Sequence, residues 1–443
     1  MEKILDYIKA GKPVNARSKL LEMNVVDIAT LLEDVDRDDL VILFRILPKD
    51  TAAEVFSYLN KVDRAHIIES LTDREISGII DKLFMDDTVD FIEEMPANIV
   101  KKVLKNTDDD TRKMINSLLS YPDDSAGSIM TTEFVDIKKE MTVMDAIAHI
   151  RKTGVDKETI DTLYVIDSNR KLEGIVPIRK ILLSDENLLI EDIMDTNFVY
   201  IYTLDDQEDV ASMFKKYDYF SMPVTDSENR LVGIITIDDI LDIIEEENEE
   251  DFAKMNALAP SDEEYLDSSV YSLAKQRIMW LLILMISATF TGIIIRQYES
   301  VLSSVVILAS FIPMLMDTGG NSGSQSSTLI IRGLALGELE ITDYPKILWK
   351  EFRVSILVGL VLAFINFLRI YLLERVDFIV SLTVCISLFA TVVLAKVVGG
   401  MLPLIAKKFK LDPAIMAAPL VTTIVDTFAL MVYFSTATLL MGL

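Results

Sequence analysis

The hydrophobic positions divide the chain into two unlike halves, because long apolar stretches occur only after residue 277. The first stretch, 278–295, contains 18 positions without a charge, which is enough to cross a hydrocarbon core of ~30 Å. Four more stretches follow, at residues 301–331, 354–373, 378–404 and 414–441. The pattern predicts an all-α membrane domain of five helices over residues 277–443. No apolar run near residue 1 resembles a signal peptide.

Residues 1–127 show a different pattern, in which short amphipathic units follow one another. Apolar residues recur at i, i+3 and i+4 in units such as VVDIATLLEDV and AAEVFSYLN, the spacing of a helix with one buried face. Asp, Asn and Pro separate the units, as expected at helix ends. We therefore predict an all-α superhelical domain, in which each helix buries its apolar stripe against its neighbours.

Residues 128–244 contain an internal duplication, with units at about 128–185 and 190–244. Met130 aligns with Met194, and Gly174 aligns with Gly233. Each unit reads as a helix, a β-branched strand ending in an Asp-Ser turn, a second strand through Leu-x-Gly-Ile, and a closing helix. This repeat resembles a tandem pair of α/β CBS domains. The resemblance implies a module that senses a ligand or an ion.

The charge follows the same division of the chain. The formal charge of the whole chain is −27 and its mean hydropathy is +0.33. Residues 1–276 contain 60 acidic and 31 basic residues, whereas residues 277–443 contain 10 acidic and 12 basic residues. The negative sign excludes a nucleic-acid surface, which needs basic patches. Cys385 is the single cysteine, and His66 and His149 are the only histidines. A disulfide framework or a cysteine-based zinc site is therefore excluded.

Basic residues between the spans predict the orientation in the membrane. Cytoplasmic loops are enriched in Lys and Arg. One set of loops contains Lys275, Arg277, Arg332, Lys346, Lys350, Arg353, Lys407, Lys408 and Lys410, and the opposite set contains Arg296, Arg369 and Arg375. The acidic half is therefore predicted to be cytoplasmic, with the C-terminus outside. The protein is expected to be a multi-pass protein of the cell membrane.

Polar residues inside the spans are candidates for function. Asp426 lies near the middle of the fifth span with no Lys or Arg in that span. A charge there costs roughly 2.5–3.5 kcal/mol, so we expect Asp426 to face a water-filled path that carries cations. The second span places Asp317, Asn321 and Gln325 at one depth among glycines and serines. Close helix packing accounts for some of the glycines, but not for these three polar side chains.

Two membrane motifs then identify a family. DTGGNSGSQSSTLIIRGLALGE begins at Asp317, and VVGGMLPLIAKKFKLDPAIMAAPLVTTIVDT ends at Thr427. With the helical first domain, the CBS pair and the five spans, the whole chain resembles the MgtE family of magnesium channels and transporters. The resemblance implies a homodimer in the lipid membrane, with a pore between the two copies. It implies pore roles for Asp426, Asn321, Gly320, Thr422 and Thr423.

The chain departs from the family pattern at two positions. Members have Asn where this chain has Ser324 and Ala418. Pore roles at these positions are therefore not carried over, and loss of an amide at Ala418 would loosen ion discrimination.

The resemblance also implies a gate that responds to cytosolic Mg²⁺. Carboxylates of one sign repel each other when domains close, and a divalent ion between them cancels that repulsion. Residues 245–276, which begin EEENEEDF, are expected to form a charged linker (plug) helix. The candidate sensor residues are Asp86 and Asp90 in the first domain, Asp206, Glu208, Asp218, Asp239 and Asp242 in the CBS pair, and Glu247, Glu250 and Asp251 in the linker.

The sequence thus favours a Mg²⁺-selective channel or transporter for passive uptake, closed by cytosolic Mg²⁺. Mg²⁺ is expected as both substrate and regulator, and ATP is a candidate ligand of the CBS pair. One alternative is a transporter of a broader set of divalent cations, such as Co²⁺ and Mn²⁺. Another is a membrane-anchored CBS sensor of nucleotides without transport. An enzyme is not expected, because the chain has no Walker, HExxH or nucleophile–base motif.

Overall fold

Ten helices of eight to ten residues fill the first 118 residues of the computed structural model, which describes residues 2–260, 265 and 268–442. They are α1 (Glu2–Lys9), α2 (Pro13–Leu20), α3 (Val25–Glu33), α4 (Arg37–Arg45), α5 (Lys49–Ser57), α6 (Lys61–Ser70), α7 (Asp73–Ile80), α8 (Met85–Glu94), α9 (Ala97–Asn106) and α10 (Asp109–Leu118). Side chains of Asn24, Asn60, Thr72 and Asp108 accept backbone N–H groups at four of the helix starts. The buried faces share one core. The predicted array of short amphipathic helices is confirmed.

The duplicated segment folds into two similar units, each with a three-stranded sheet. The elements are β1 (Asp136–Ile137), α11 (Val143–Thr153), β2 (Thr162–Ile166), β3 (Leu172–Pro177) and α12 (Ile178–Leu183), then α13 (Ile190–Ile193), β4 (Ile201–Tyr202), α14 (Gln207–Tyr217), β5 (Ser221–Thr225), β6 (Leu231–Thr236) and α15 (Ile237–Met255). In each unit the first strand pairs parallel to the second, which pairs antiparallel to the third. The predicted helix–strand–turn–strand–helix order is confirmed. The two-residue strands β1 and β4 were not predicted, because two residues show no alternation.

The aligned Met and Gly positions of the two repeats meet reciprocally. A Cβ on Gly233 would lie 2.6 Å from the Met130 sulfur, and a Cβ on Gly174 would lie 3.0 Å from the Met194 sulfur. The backbone also crosses here, since Thr131 pairs with Ile234 of β6. Only glycine leaves room for this approach. The segment before each repeat is therefore fastened to the last strand of the other repeat.

The second half of the chain is almost entirely helical. Its α-helices are α16 (Val270–Gln297), α17 (Glu299–Ser304), α18 (Ile312–Ala335), α19 (Tyr344–Leu368), α20 (Phe378–Lys408) and α21 (Ala418–Met441), with short 3₁₀ turns at Val306–Phe311, Ile341–Asp343 and Pro413–Met416 and a π turn at Arg369–Leu373. α18, α20 and α21 pack against one another, and α19 packs on α20. Two compact units, Met1–Ile244 and Glu245–Leu443, divide the chain, and the boundary falls within α15.

Four helical segments of the described residues are long and apolar enough to cross a membrane: Val270–Gln297, Ile341–Leu373, Phe378–Lys408 and Ala418–Met441. The predicted second span, 301–331, differs from a single continuous helix. It is divided into α17, a 3₁₀ turn and α18, with Pro313 in the first turn of α18, the position that proline favours. α18 has 24 residues, but its Gly, Ser, Asn and Gln residues make it too polar to count among the four apolar segments that could cross a membrane.

The linker is also shorter than the single helix expected over residues 245–276. α15 ends at Met255, and Ala257 adopts a positive φ of 54°, a left-handed conformation common just after a helix. Pro260 then disfavours helical backbone at the preceding residue. The next helix begins at Val270. Residues 261–264, 266 and 267 of the predicted linker lie outside the described residues.

The packing of α18 on α20 yields a stability prediction. A Cβ on Gly399 would lie 2.2 Å from the Gly323 carbonyl oxygen, so Gly399→Ala must push the two helices apart. Overpacking of this kind costs about 1–3 kcal/mol, and we expect a lower melting temperature of the full chain in detergent. Gly292→Ala is the matched control, because a Cβ on Gly292 meets no described atom within 4 Å. Equal melting temperatures for the two variants would contradict the packing.

Candidate functional site

Small residues bring α18 and α21 into close contact. A Cβ on Gly320 would lie 2.7 Å from the Cγ2 atom of Thr422, and a Cβ on Gly323 would lie 2.7 Å from Val421. This approach places Asp317 of α18 within electrostatic range of Asp426 of α21. The two carboxylates predicted from the sequence therefore belong to one region of the membrane half.

The hydroxyl groups of Thr422 and Thr423 are oriented by the start of α21. Both hydroxyls donate to the Pro419 carbonyl oxygen at 2.9 Å. Pro419 lies in the first turn of the helix, where a proline fits because the first amides have no helical partner. Since each hydroxyl hydrogen is used, the hydroxyl oxygens of Thr422 and Thr423 remain as acceptors. Oxygen acceptors suit the water shell of a hydrated cation.

Three polar side chains of this region have no hydrogen-bond partner among the described residues. Asn321 and Gln325 of α18 are exposed, and Asp426 is half-buried. In a hydrocarbon environment, unpartnered polar groups of this kind are costly, so they mark a water-filled cavity or a contact with another chain. The Ser324 hydroxyl also has no partner among the described residues, but it is buried within the protein.

A second acidic site lies in the first unit, Met1–Ile244, and Asp86 is its most buried member. Only 6% of Asp86 is exposed. Burial, followed by the charges of Asp239, Glu158 and Asp87, raises the pKa of Asp86 well above its usual range. α8 supplies Asp86 and Asp87, and α15 supplies Asp239. Carboxylates from the helical domain and the second CBS repeat are therefore gathered at one place.

Glu133 holds the start of α8 in this acidic site. Its Oε2 atom accepts from the Met85 amide and from the Thr131 hydroxyl, both at 2.8 Å. A carboxylate at a helix N-terminus satisfies a free amide and interacts favourably with the helix dipole. Glu158 is linked to the same segment, because its amide donates to the Glu133 carbonyl oxygen at 2.9 Å. The position of α8 thus depends on the first CBS repeat.

Burial dominates the acid–base behaviour of the other carboxylates. It raises the pKa of Glu158 to about 8 and those of Asp87 and Asp239 to about 6. The positive charge of Arg64 partly offsets the rise in the pKa of Asp87. The Thr236 hydroxyl donates to Asp239 at 2.5 Å, and this hydrogen bond partly offsets the rise in the pKa of Asp239. One Glu158 carboxylate oxygen is buried without a partner. The site is therefore short of positive charge.

The other predicted sensor residues of the first unit are exposed, and they lie on three helices, α8, α14 and α15. Asp206 caps α14, where it accepts from the Glu208 amide at 3.0 Å, and Asp218 ends α14 with a left-handed φ of 54°. Asp90 of α8 and Asp242 of α15 are exposed as well. Their role as sensor residues stays a prediction.

The linker residues lie beside the loop that precedes α21. The Lys254 ammonium pairs with Glu250 at 2.6 Å and with Asp412 at 2.7 Å. Burial and the nearby Asp412 carboxylate raise the pKa of Asp251 to about 6, and Glu247 and Glu250 add to this shift. Three predicted linker residues therefore share one charged network.

Sequence analysis missed Asp87, Glu133 and Glu158. Asp87 adjoins a predicted residue, but Glu133 and Glu158 lie in loops without a periodic pattern. The extra residues of the first repeat, around Gly154–Asp161, were the only signal near Glu158. Across the described residues, no three His, Cys, Asp or Glu side chains are grouped closely enough to ligate a metal ion directly.

Comparisons with known proteins cover both units. The family model described as divalent cation transporter matches residues 312–436, the MgtE intracellular N domain matches 23–124, and the CBS domain matches 126–186 and 190–246.

Two magnesium transporters named MgtE align over nearly the whole chain. That of Thermus thermophilus is 35% identical and covers 98% of this chain and 97% of its own. That of Bacillus subtilis is 31% identical over 95% of each.

A crystal structure described as the cytosolic domain of the Mg²⁺ channel MgtE in complex with ATP gives a TM-score of 0.52 at 32% identity. It covers 54% of this chain and 98% of its own. A second structure, described as the soluble part of a magnesium transporter, gives a TM-score of 0.53 at 28% identity. The match covers 56% of this chain and 97% of the second structure's chain. With its helical domain, its CBS pair and its polar membrane helix, the chain belongs to the MgtE family.

Proposed function

We propose that this protein is a Mg²⁺-selective channel or passive transporter that carries the ion into the cell. The half-buried Asp426 carboxylate, with Asp317 nearby and the unpartnered Asn321 on α18, is the observation that carries the proposal. The magnesium transporters that align over nearly the whole chain support the choice of ion. Without a nucleotide-hydrolysing motif, transport follows the electrochemical gradient.

The ligand chemistry favours a hydrated, hard cation. Mg²⁺ prefers six oxygen ligands and gives up its water reluctantly. Asp426, Asn321 and the oriented hydroxyls of Thr422 and Thr423 are oxygen groups that accept from water. No imidazole lies in this half, and Cys385 is buried, so soft ligands for Zn²⁺ or Cu are missing. Transport of Co²⁺ or Mn²⁺ remains the alternative within the same class.

We propose a homodimer with the pore between two copies. α16 has no buried residue, and α21 is its main neighbour, which leaves an apolar helix face open in the single chain. Asn321 is also exposed. A second copy would cover apolar surface and bring a second Asp426 towards the first. The positive-inside rule places the N-terminus in the cytoplasm and the C-terminus outside.

We further propose that cytosolic Mg²⁺ closes the gate through the acidic site around Asp86. Its like-charged groups repel when α8 approaches the CBS pair, and a divalent ion offsets that repulsion. Because no direct ligand set is preformed among the described residues, the ion is held through its own water molecules. Binding to the closed arrangement shifts the population towards it.

ATP is a second regulatory ligand in this proposal. The support is the ATP complex of a cytosolic MgtE domain that is 32% identical to this chain. A nucleotide sensor that uses its helices only as an anchor is disfavoured, because an anchor does not need Asp426 or the polar side chains of α18.

The transport proposal predicts the behaviour of one substitution. We expect Asp426→Asn to reduce Mg²⁺ influx into liposomes at least tenfold, because the pore loses the charge that attracts the ion. Glu338→Gln removes an exposed carboxylate outside the site and should keep wild-type influx. Unchanged selective uptake by Asp426→Asn would refute the pore assignment.

The gating proposal predicts a loss of feedback. A chain lacking residues 1–127 should continue to transport Mg²⁺ when the concentration on the cytoplasmic side is high, because Asp86 and Asp87 are absent. Flux would be compared at low and high internal Mg²⁺. Closure identical to that of the full chain would contradict the sensor role.

The raised pKa values predict a pH dependence in the absence of Mg²⁺. Because the folded-state pKa of Glu158, about 8, lies above its usual 4.5, its stabilising contribution is present below pH ~4.5 and is lost as the pH rises through about 8. The melting temperature of the cytoplasmic unit in EDTA should therefore fall from pH 5 to 8.5, and added Mg²⁺ should oppose the fall.

Glu158→Gln should flatten this pH profile, because the amide cannot ionise. Glu186→Gln, which changes an exposed glutamate elsewhere in the same repeat, should keep the wild-type slope. Identical slopes for the two variants would exclude Glu158 from the titration.

A further inference from the structure

One exposed face of α19 is basic at its start and apolar over the rest of its length. Residues three or four apart are neighbours on a helix surface, and the face follows that spacing through Lys346, Lys350, Arg353, Leu357, Leu360 and Phe364. All six residues, named here the α19 face, are exposed. The helix therefore presents a cationic end and an apolar stripe to its surroundings.

Two of the three cations in the α19 face lack a counter-charge. The Lys346 ammonium pairs with Asp343 at 2.7 Å. Among the described residues, the side chains of Lys350 and Arg353 have neither an ion pair nor a hydrogen-bond partner. Their charges are therefore free to interact with an anion beside the helix.

The one carboxylate of α19 does not supply that counter-charge, because it is directed into the helix bundle. The Ser326 hydroxyl of α18 donates to Glu351 Oε2 at 2.6 Å. On the α20 side, a Cβ on Gly400 would lie 3.2 Å from the Glu351 Cγ atom. Glu351 is thus held by α18 and α20, away from the α19 face.

Aromatic rings restrain the basic end of this face. The Arg353 guanidinium lies over the Trp349 ring, 5.8 Å from its centroid, which is within cation–π range. Trp349 in turn stacks on Phe352, with ring centroids 5.8 Å apart and an interplanar angle of 23°. Trp is enriched where hydrocarbon meets the headgroups of a bilayer. The stack therefore holds Arg353 beside a residue that is typical of headgroup depth.

The apolar part of the face matches the length of an acyl chain in one leaflet. Arg353 and Phe364 are 11 positions apart, and a helix rises ~1.5 Å per residue, so the two lie ~16 Å apart along the axis. One leaflet contributes about half of a hydrocarbon core of ~30 Å. A phosphate at Lys350 and Arg353 thus leaves its acyl chains alongside Leu357, Leu360 and Phe364.

We propose that the α19 face is a binding site for one anionic phospholipid. Lys350 and Arg353 bind the headgroup phosphate, Trp349 lies beside the glycerol backbone, and the apolar residues contact the acyl chains. Charge complementarity selects an anionic lipid, because a zwitterionic headgroup would add a third cation beside the two that are present. The positive-inside rule puts the start of α19 on the cytoplasmic side, where the leaflet carries negative charge. The proposal goes beyond ion transport and does not depend on the ion path.

The test measures lipid binding to the full chain in detergent, by native mass spectrometry and by melting temperature. The probes are phosphatidylglycerol and phosphatidylcholine with identical acyl chains, and inorganic phosphate. Phosphatidylglycerol should bind more tightly than phosphatidylcholine by roughly tenfold or more. It should also raise the melting temperature further, because it stabilises α19 where this helix packs on α20. Inorganic phosphate has no acyl chain and should leave the melting temperature unchanged.

Paired variants separate this site from a general attraction between anionic lipid and basic residues. Lys350→Gln/Arg353→Gln should lose the preference for phosphatidylglycerol, whereas Lys350→Arg/Arg353→Lys keeps both charges and should retain it. Lys275→Gln/Arg277→Gln is the matched control, because it removes two exposed basic residues from another helix, α16, on the same predicted side of the membrane. It should bind phosphatidylglycerol as the wild type does.

Four results would overturn the proposal. They are equal binding of the two lipids by the wild type, an unchanged preference in Lys350→Gln/Arg353→Gln, an equal loss in the α16 control, and stabilisation by inorganic phosphate alone. Native mass spectrometry also reports the oligomeric state. Dissociation of a dimer in Lys350→Gln/Arg353→Gln would show that a second copy covers the α19 face, and would likewise exclude the lipid. Liposome flux of the wild type tests the transport proposal separately, so failure of one proposal leaves the other standing.

Discussion

The burial of several carboxylates at one place is the constraint on which the first unit, Met1–Ile244, depends. Asp86 is almost fully buried beside Asp239 and Glu158, and each loses hydration while it gains a like-charged neighbour. A protein relieves such a site by protonation, by separating the groups, or by adding a cation. The raised pKa values of these carboxylates favour protonation, whereas separation of the groups would move α8 away from the CBS pair. The third lets an ion concentration decide which arrangement is populated.

The acidic site is connected to the contact between the two CBS repeats. Each repeat is fastened to the other where a methionine contacts a glycine, Met130 on Gly233 and Met194 on Gly174. The segment after Met130 continues through Thr131, which pairs with β6, to Glu133, which binds the start of α8. The acidic helix is therefore joined directly to the crossing point of the CBS pair.

The sequence predicts what depends on local pattern. The helical period, the duplicated strands and Asp426 inside a span can all be found without coordinates. Each is a property of a short segment, either the burial of one face or the cost of a charge inside the membrane. Glu133 and Glu158 are different, since both lie in loops and reach α8 only after the domains pack. The i, i+4 spacing correctly places Asp86 and Asp90 on one helix, but it does not reveal that one is buried and the other exposed. That difference is decided by what covers the helix.

The acidic site and the proposed pore use similar oxygen groups under different conditions. In the membrane half, Asp426 and Asn321 have no partner among the described residues, and a hydrated ion in the proposed pore would supply the missing hydrogen bonds. In the first unit, protons neutralise part of the charge near neutral pH, chiefly at Glu158, because its pKa is about 8 whereas those of Asp87 and Asp239 are about 6. An ion must displace those protons before it binds. That competition would weaken the apparent affinity for the ion, which fits the proposed role of the site as a sensor that fills only when the cation concentration rises.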